Sequence, residues 1–393
     1  MRKLIIISGS GGIGGATVSQ SLMIQGFKQL GYAEQLCVLV SSDSELEEYL
    51  QQAGHGACLI SLSAKNAHEY YTRVLQWATQ QPRHWPLFLD SWTSSRVLPS
   101  LALAIPKLRL SGRPVYHFFH DTGYSERFIS NLAKKIIFRG LNPVSLCNSR
   151  FTAQTICPRL TPKVRDIFYQ PVEPDIFNHH YVTFPPSALK PILDRGVSIM
   201  LTPSRISQPE QFNDKNLRAL IPVLAELKAS GYDYHGVVIG QDYSTNKVLT
   251  QRLLEQAQEV GVADRFTVLP AAFSIQDYYR YADVVVTLAP REPFGRTVVE
   301  AVSCGVPVIG SQTGGIGEIL NHFAPQWTTD PDDPKATAAA IIRLKHDPLT
   351  STLLAQGQQW VKEQCSPVQY ARRLIEIIEL DEMKSKTKEV VSV

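Results

Sequence analysis

A chain of 393 residues, 44% of them hydrophobic, exceeds what one ordinary core organises, so two domains are expected. With 19% charged residues and a formal net charge of +3, the composition excludes a disordered polyelectrolyte and gives no sign of a nucleic-acid binder. The six cysteines stand alone, without a Cys-x-x-Cys pair, and read as reduced thiols of a cytoplasmic protein with no zinc site.

The first element is an apolar run at residues 4–8, too short for a signal h-region and suited to a buried strand. Gly9-Ser10-Gly11-Gly12-Ile13-Gly14-Gly15 follows it and precedes a helical pattern. By letter this fits Gly-x-Gly-x-x-Gly, so a nicotinamide enzyme is one reading. That fingerprint also wants an acid about 20 residues beyond its last glycine, and Asp43 comes late. Further strand-like runs fall at residues 35–40, 86–89, 115–119 and 144–147, with helix-length segments between most of them. This is the βαβ rhythm of a parallel sheet.

Between Arg96 and Arg165 stand twelve Lys/Arg against only Asp121 and Glu126, a local excess of ten positive charges. Such a stretch is either a set of scattered solvated side chains or a face suited to an acidic acceptor or an anionic membrane surface. Within it, residues 128–141 mix Lys134, Lys135 and Arg139 with Ile129, Leu132, Ile136, Ile137 and Phe138. That pattern serves either a helix at a membrane surface or one packed ahead of a strand. No run of about 18 apolar residues occurs, so no membrane span is expected.

Residues 181–191, with Pro185, Pro186 and Pro191, lack either periodicity and are the expected linker, which gives domains at 1–184 and 193–364. The rhythm then restarts, with strands expected at 197–201, 236–239, 266–269, 284–288 and 306–309. Pro222 is expected to kink the helix following Lys215. Asp330-Pro331-Asp332-Asp333 reads as a turn rather than a metal site. A last helix begins at Ser366-Pro367, an N-cap followed by proline in the first turn, and a frayed tail is expected after Met383.

The most informative stretch is Glu292-Pro293-Phe294-Gly295-Arg296-Thr297-Val298-Val299-Glu300-Ala301, followed by Gly305-Val306-Pro307-Val308-Ile309 and Thr313-Gly314-Gly315. It reads as a loop carrying an acid, a helix starting near Gly295, a glycine stop and a buried strand. A helix N-terminus at the carboxyl edge of a parallel sheet suits a diphosphate. Carboxylates are strong acceptors for sugar and ribose hydroxyls, so two of them can address two hydroxyl groups.

These residues resemble the glycosyl transferases group 1, retaining enzymes of the GT-B fold marked by Glu-x7-Glu, here Glu292 and Glu300. The resemblance implies two Rossmann-like doubly wound domains facing a central cleft, with the C-terminal helix, residues 366–382, crossing back to the N-terminal domain. It assigns Glu292 to the transferred sugar, the backbone of Pro293, Phe294, Gly295, Arg296 and Thr297 to sugar and phosphate, and Glu300 to the ribose. Arg205 and Lys215 resemble the pair that neutralises the leaving diphosphate, although their ten-residue separation is longer than the family's usual gap. Gly14 and Gly15 would approach the donor phosphates and acceptor, and His120 would sit beside the reacting sugar.

The activity implied by the resemblance is transfer from a UDP- or GDP-sugar to the hydroxyl of a sugar, lipid or small-molecule acceptor, with no cofactor and no required divalent metal. The alternatives are a non-catalytic sugar-nucleotide binding protein, an NAD-dependent oxidoreductase, and a GT-B glycoside phosphorylase, for which no pyridoxal-phosphate lysine motif stands out.

Overall fold

The computed structural model describes residues 1–9, 14–180, 184–210, 214–272 and 274–380. The chain divides into two compact units: unit 1 joins Met1–Pro171 to Gln364–Val393, and unit 2 is Val172–Glu363. The proline-rich stretch expected to be the linker therefore lies inside unit 2. There Pro186 opens a turn onto Leu189, and Leu189 and Ile192 are buried, which ties the segment to that unit. Residues 181–183, and the tail expected after Met383, lie outside the described residues.

Unit 1 contains β1 (Leu4–Ile7), β2 (Leu36–Ser41), β3 (Leu59–Leu62), β4 (Leu87–Asp90), β5 (Val115–Phe119), β6 (Val144–Cys147) and β7 (Asp166–Ile167). They form one parallel sheet in the order β3-β2-β1-β4-β5-β6-β7. Unit 2 repeats the plan with β8 (Ser198–Pro203), β9 (Tyr234–Ile239), β10 (Phe266–Leu269), β11 (Val284–Thr287), β12 (Val308–Ser311) and β13 (Thr328–Thr329), in the order β10-β9-β8-β11-β12-β13. In both sheets the strand order reverses beside the first strand, between β1 and β4 and between β8 and β11. In open α/β sheets ligands bind at the carboxyl ends of strands at this reversal.

The ten strands expected from apolar runs are all present. The three that were not expected are edge or near-edge strands. β3 is only half-buried, and β7 and β13 have two residues each, too few to carry a pattern. Pro222 does not kink its helix. A short 3-10 turn, Leu217–Ala219, comes first, and the α-helix Leu220–Ala229 places Pro222 in its first turn, where a missing N–H costs nothing. Asp333 caps the helix Pro334–His346 as the turn reading required, its side chain accepting from the Ala336 N–H.

Two cores flank the first sheet. One packs Met23, Ile24 and Phe27 against Phe118, Phe168, Tyr370 and Leu374. The other joins Tyr70, Val74 and Trp92 to Leu101, Leu108, Ile137 and Leu141. The C-terminal helix Pro367–Ile377 belongs to the first core and lies tightly on the helix Gly15–Gln29. A Cβ at Gly26 would stand 2.0 Å from the Pro367 carbonyl oxygen, so only glycine permits this approach. Arg373 clasps Asp166 with two hydrogen bonds of 2.5 and 3.3 Å, fixing the same helix to the sheet edge.

Not all of the basic stretch reaches solvent. Arg113 is buried and donates to the carbonyls of Trp85 and Gln81, and buried Lys134 donates to that of Gly123. Both cations serve as internal braces.

Candidate functional site

In unit 2 the expected residues converge on the carboxyl edge of β8 and β11, the two strands at the reversal. Arg205 follows β8 in a loop held by the Ile206 N–H donating to Gln241 and the Tyr243 N–H donating to Ile206. Neighbouring Asp242 keeps this corner rigid. Burial pushes its carboxyl pKa up, but backbone and hydroxyl donors from Ser244 and Thr250 outweigh that and hold it at about 2. Gly240, directly after β9, lets the chain pass: a Cβ there would stand 1.9 Å from the Ser204 carbonyl oxygen.

Lys215 is brought onto the loop after β11, where its ammonium pairs with the Glu292 carboxylate. Asn216 fixes its approach. It takes a left-handed φ of +49° and donates to the Pro331 carbonyl, while Asp214 receives the Asn216 N–H and a fork from Arg218. Each partner of the Lys215–Glu292 pair keeps 22% of its side chain exposed, so the pair is accessible to a ligand. A concavity lined by Ser207, Gln208, Asn216, Arg252 and Gln256 adjoins Lys215.

The Glu292 loop is shaped by the turn after β12. The Gly315 N–H donates to the Glu292 carbonyl at 2.7 Å, and Thr313 donates its hydroxyl to Pro290. Cβ atoms at Gly314 and Gly315 would lie 2.9 Å from Glu292 O and 2.3 Å from Phe294 O. The two glycines therefore allow loop and turn to touch. Phe294 is buried as an anchor, and Gly295 caps the helix Arg296–Ser303 at φ +103°, a conformation suited to glycine. The first N–H groups of this helix, from Arg296 and Thr297 onward, lie at the sheet's carboxyl edge with the positive end of the helix dipole.

Glu300 lies one turn into that helix and is buried. It accepts from the Tyr279 hydroxyl at 3.0 Å and has Arg296 at 3.8 Å. Burial raises its carboxyl pKa above the ordinary 4.5, with Arg296 and Tyr279 opposing the rise. A raised folded-state pKa favours folding below the ordinary carboxylate range, and that contribution is lost as pH climbs through the folded value. Glu300→Gln should therefore raise the midpoint of thermal unfolding at pH 7 by about 1–3 °C, and the gain should vanish below about pH 4. A variant of unchanged or lower stability at pH 7 would contradict this account.

In unit 1, Gly14 caps the helix Gly15–Gln29 directly after the loop leaving β1, and a Cβ on Gly14 would meet nothing within 4 Å. Ser10 to Ile13, the middle of the glycine loop, lie outside the described residues. His120 leaves β5 and has both ring nitrogens engaged: Nε2 with Asp90 Oδ1 at 2.5 Å and Nδ1 with the Gln170 side-chain amide. Its carbonyl accepts from Asn148 at 2.8 Å. An imidazole donating to a carboxylate and accepting from an amide is fixed in both tautomer and orientation.

Asp90 and Gln170 were missed in the sequence. Asp90 had a signal, since it ends a strand at the carboxyl edge, whereas Gln170 had none. His117 is a core residue, fully buried, accepting from the Trp92 N–H, its pKa pushed down to about 3 by burial. Among the described residues no cluster of three His, Cys, Asp or Glu is arranged for a metal ion.

The model of the family described as glycosyl transferases group 1 matches residues 206–360, which hold Lys215, Glu292, Glu300 and the glycine turn. The likeness to that family lies in this segment, which falls inside unit 2. The D-inositol 3-phosphate glycosyltransferase of Thermobispora bispora is 29% identical over 167 residues, 42% of this chain and 39% of the relative. That of Rhodococcus erythropolis is 33% identical over 132 residues, 33% of this chain and 29% of the relative. The matches thus span less than half the length of these curated relatives. Solved structures agree over nearly the whole chain. Anabaena Alr3699/HepE in complex with UDP and glucose superposes with a TM-score of 0.75 at 20% identity, covering 96% of this chain and all of that one. Sucrose-phosphate synthase from Thermosynechococcus elongatus gives 0.69 at 17% identity, covering 97% and 99%. At these identities the likeness establishes the fold, and the fold is GT-B.

Proposed function

We propose that this protein is a retaining glycosyltransferase of group 1 that moves a sugar from a UDP- or GDP-sugar to an acceptor hydroxyl. The observation that carries the reading is the Lys215–Glu292 pair, set beside the helix start at Gly295, in the loops following the two strands where the sheet order reverses. A cation and a helix N-terminus suit a diphosphate, and the carboxylate next to them suits the hydroxyls of the sugar it carries.

In this reading Arg205 and Lys215 hold the diphosphate, and Lys215 turns part of its charge from Glu292 to the phosphate oxygens. Donors aimed at developing charge lower the barrier to leaving. The bond from the anomeric carbon to the phosphate oxygen breaks, the acceptor oxygen bonds to the same face, and the acceptor's proton passes to the departing phosphate oxygen. Glu300, with Tyr279 and Arg296 beside it, is assigned to the ribose, and His120, with Gly14 and Gly15, to the sugar and phosphate side of unit 1. Complexes of Alr3699/HepE with UDP-glucose and with UDP and glucose favour a uridine donor.

The test is a screen of UDP- and GDP-sugars by thermal shift, followed by proton NMR of the product formed with the donor that binds. Stabilisation by one sugar nucleotide and a product with the donor's anomeric configuration are expected. An inverted product would overturn retention, and indifference to every sugar nucleotide would overturn the donor assignment.

A further inference from the structure

The helices Leu98–Ser111 and Phe128–Leu141 are neighbours in the layer that covers one side of the first sheet, their inner faces joined in one core through Leu101, Leu108, Ile137 and Leu141. A surface helix normally turns polar residues outward. These two do not. Phe128 is 79% exposed, Ile129 81%, Ile136 63% and Leu132 46%, and on the neighbouring helix Leu103 is 76% and Leu110 87% exposed.

At about 100° per residue, Phe128, Ile129, Leu132 and Ile136 share one side of their helix, opposite buried Ile137, Phe138 and Leu141. Leu103 and Leu110 lie seven apart, two turns along one side of theirs. Of fourteen large exposed hydrophobic residues among the described ones, six fall on these two helices. Singly exposed apolar residues are ordinary, but a cluster marks a surface that meets something.

The charges around the cluster indicate what it meets. Lys107, Arg109, Arg127, Lys135 and Arg139 are exposed on or at the ends of the two helices, against one exposed carboxylate at the ends, Glu126 beside Arg127, and neither helix itself contains an Asp or Glu. An all-apolar partner would leave these cations without counter-charge, and a purely anionic one would leave the phenyl and aliphatic groups in water. An anionic bilayer satisfies both, with headgroups for the cations and the acyl boundary for the side chains between them. We propose that unit 1 docks onto an anionic phospholipid surface through the outer faces of the helices Leu98–Ser111 and Phe128–Leu141, which would bring the protein to lipid-borne substrates.

The proposal is independent of the donor assignment and is read by vesicle binding, not by activity. The full chain is sedimented with vesicles of phosphatidylcholine alone and of phosphatidylcholine with about a third phosphatidylglycerol. Binding to the anionic vesicles should exceed that to the neutral ones at least about tenfold and fall steeply between about 0.1 and 0.5 M salt. The triple variant Phe128→Ser/Ile129→Ser/Leu132→Ser should lose at least about tenfold of this binding with its thermal unfolding unchanged, because the replaced side chains have no core to leave. Lys107→Gln/Lys135→Gln/Arg139→Gln should flatten the salt dependence. Equal affinity for both vesicles, no binding to either, or a serine variant that still binds would each overturn the proposal. So would a dimer of the wild-type chain that the serine variant converts to monomer, since the face would then be a contact between copies.

Discussion

Arg205→Ala should lower the rate of sugar transfer about a hundredfold or more while changing thermal stability little. The side chain is exposed in the loop after β8, so its removal opens no cavity, whereas losing one cation aimed at a departing diphosphate costs about 3–4 kcal/mol of barrier. Lys215→Ala should lower the rate by a similar factor, but it also strips Glu292 of its ion partner. The two effects separate in a cycle with Glu292→Gln, because coupled neighbours depart from additivity. Single-turnover rates with saturating donor are the measurement. Rates within a few-fold of wild type for Arg205→Ala would remove Arg205 from the leaving-group chemistry, and a Lys215→Ala defect that disappears in the Glu292→Gln background would reduce Lys215 to a partner of the glutamate.

Gly240→Ala should be the most damaging single methyl group in unit 2. Its Cβ would lie 1.9 Å from the Ser204 carbonyl oxygen, 2.6 Å from the carbonyl carbon and 3.2 Å from the Arg205 N, all backbone atoms that no rotamer change can clear. The ends of β8 and β9 would have to separate, breaking the Ser204 N–H to Ile239 bond, at a cost of about 3 kcal/mol. In a unit of this size that is a fall of about 6–12 °C in the unfolding midpoint, seen by calorimetry, with donor binding weakened because the Arg205 loop moves. Gly56→Ala, where a Cβ meets nothing within 4 Å, is the matched control and should stay within about 0.5 kcal/mol. A Gly240→Ala protein as stable as the control would show that the close approach is not required.

Much of this molecule could be read from its residues because its inner strands are buried on both faces. A strand such as β1 or β11 then appears as an unbroken apolar run, and the helices between appear as spaced ones. The Glu292 to Gly315 stretch was also legible, since loop, helix start, stop and strand are contiguous and each residue type fits its local geometry. Legibility failed at half-buried β3 and at the two-residue edges β7 and β13, whereas β10, also a partly buried edge, kept a readable apolar run.

Other features were decided only by folding, because each depends on residues far apart in the chain. The order of parallel strands, and hence the reversal beside Arg205, follows from long-range pairing. So do the meeting of Lys215 with Glu292 across 77 residues and the clamping of His120 between Asp90 and Gln170. The basic stretch behaves in the same way. Sequence counted Arg113 and Lys134 with its surface charges, but the tertiary structure turned both inward onto backbone carbonyls, where their donors could be satisfied, and turned Phe128, Ile129 and Ile136 outward. Composition and local spacing determine which elements form and where loops carry chemistry. Which side of each helix finds the core depends on the packing of neighbours, and that is a property of the assembled layers alone.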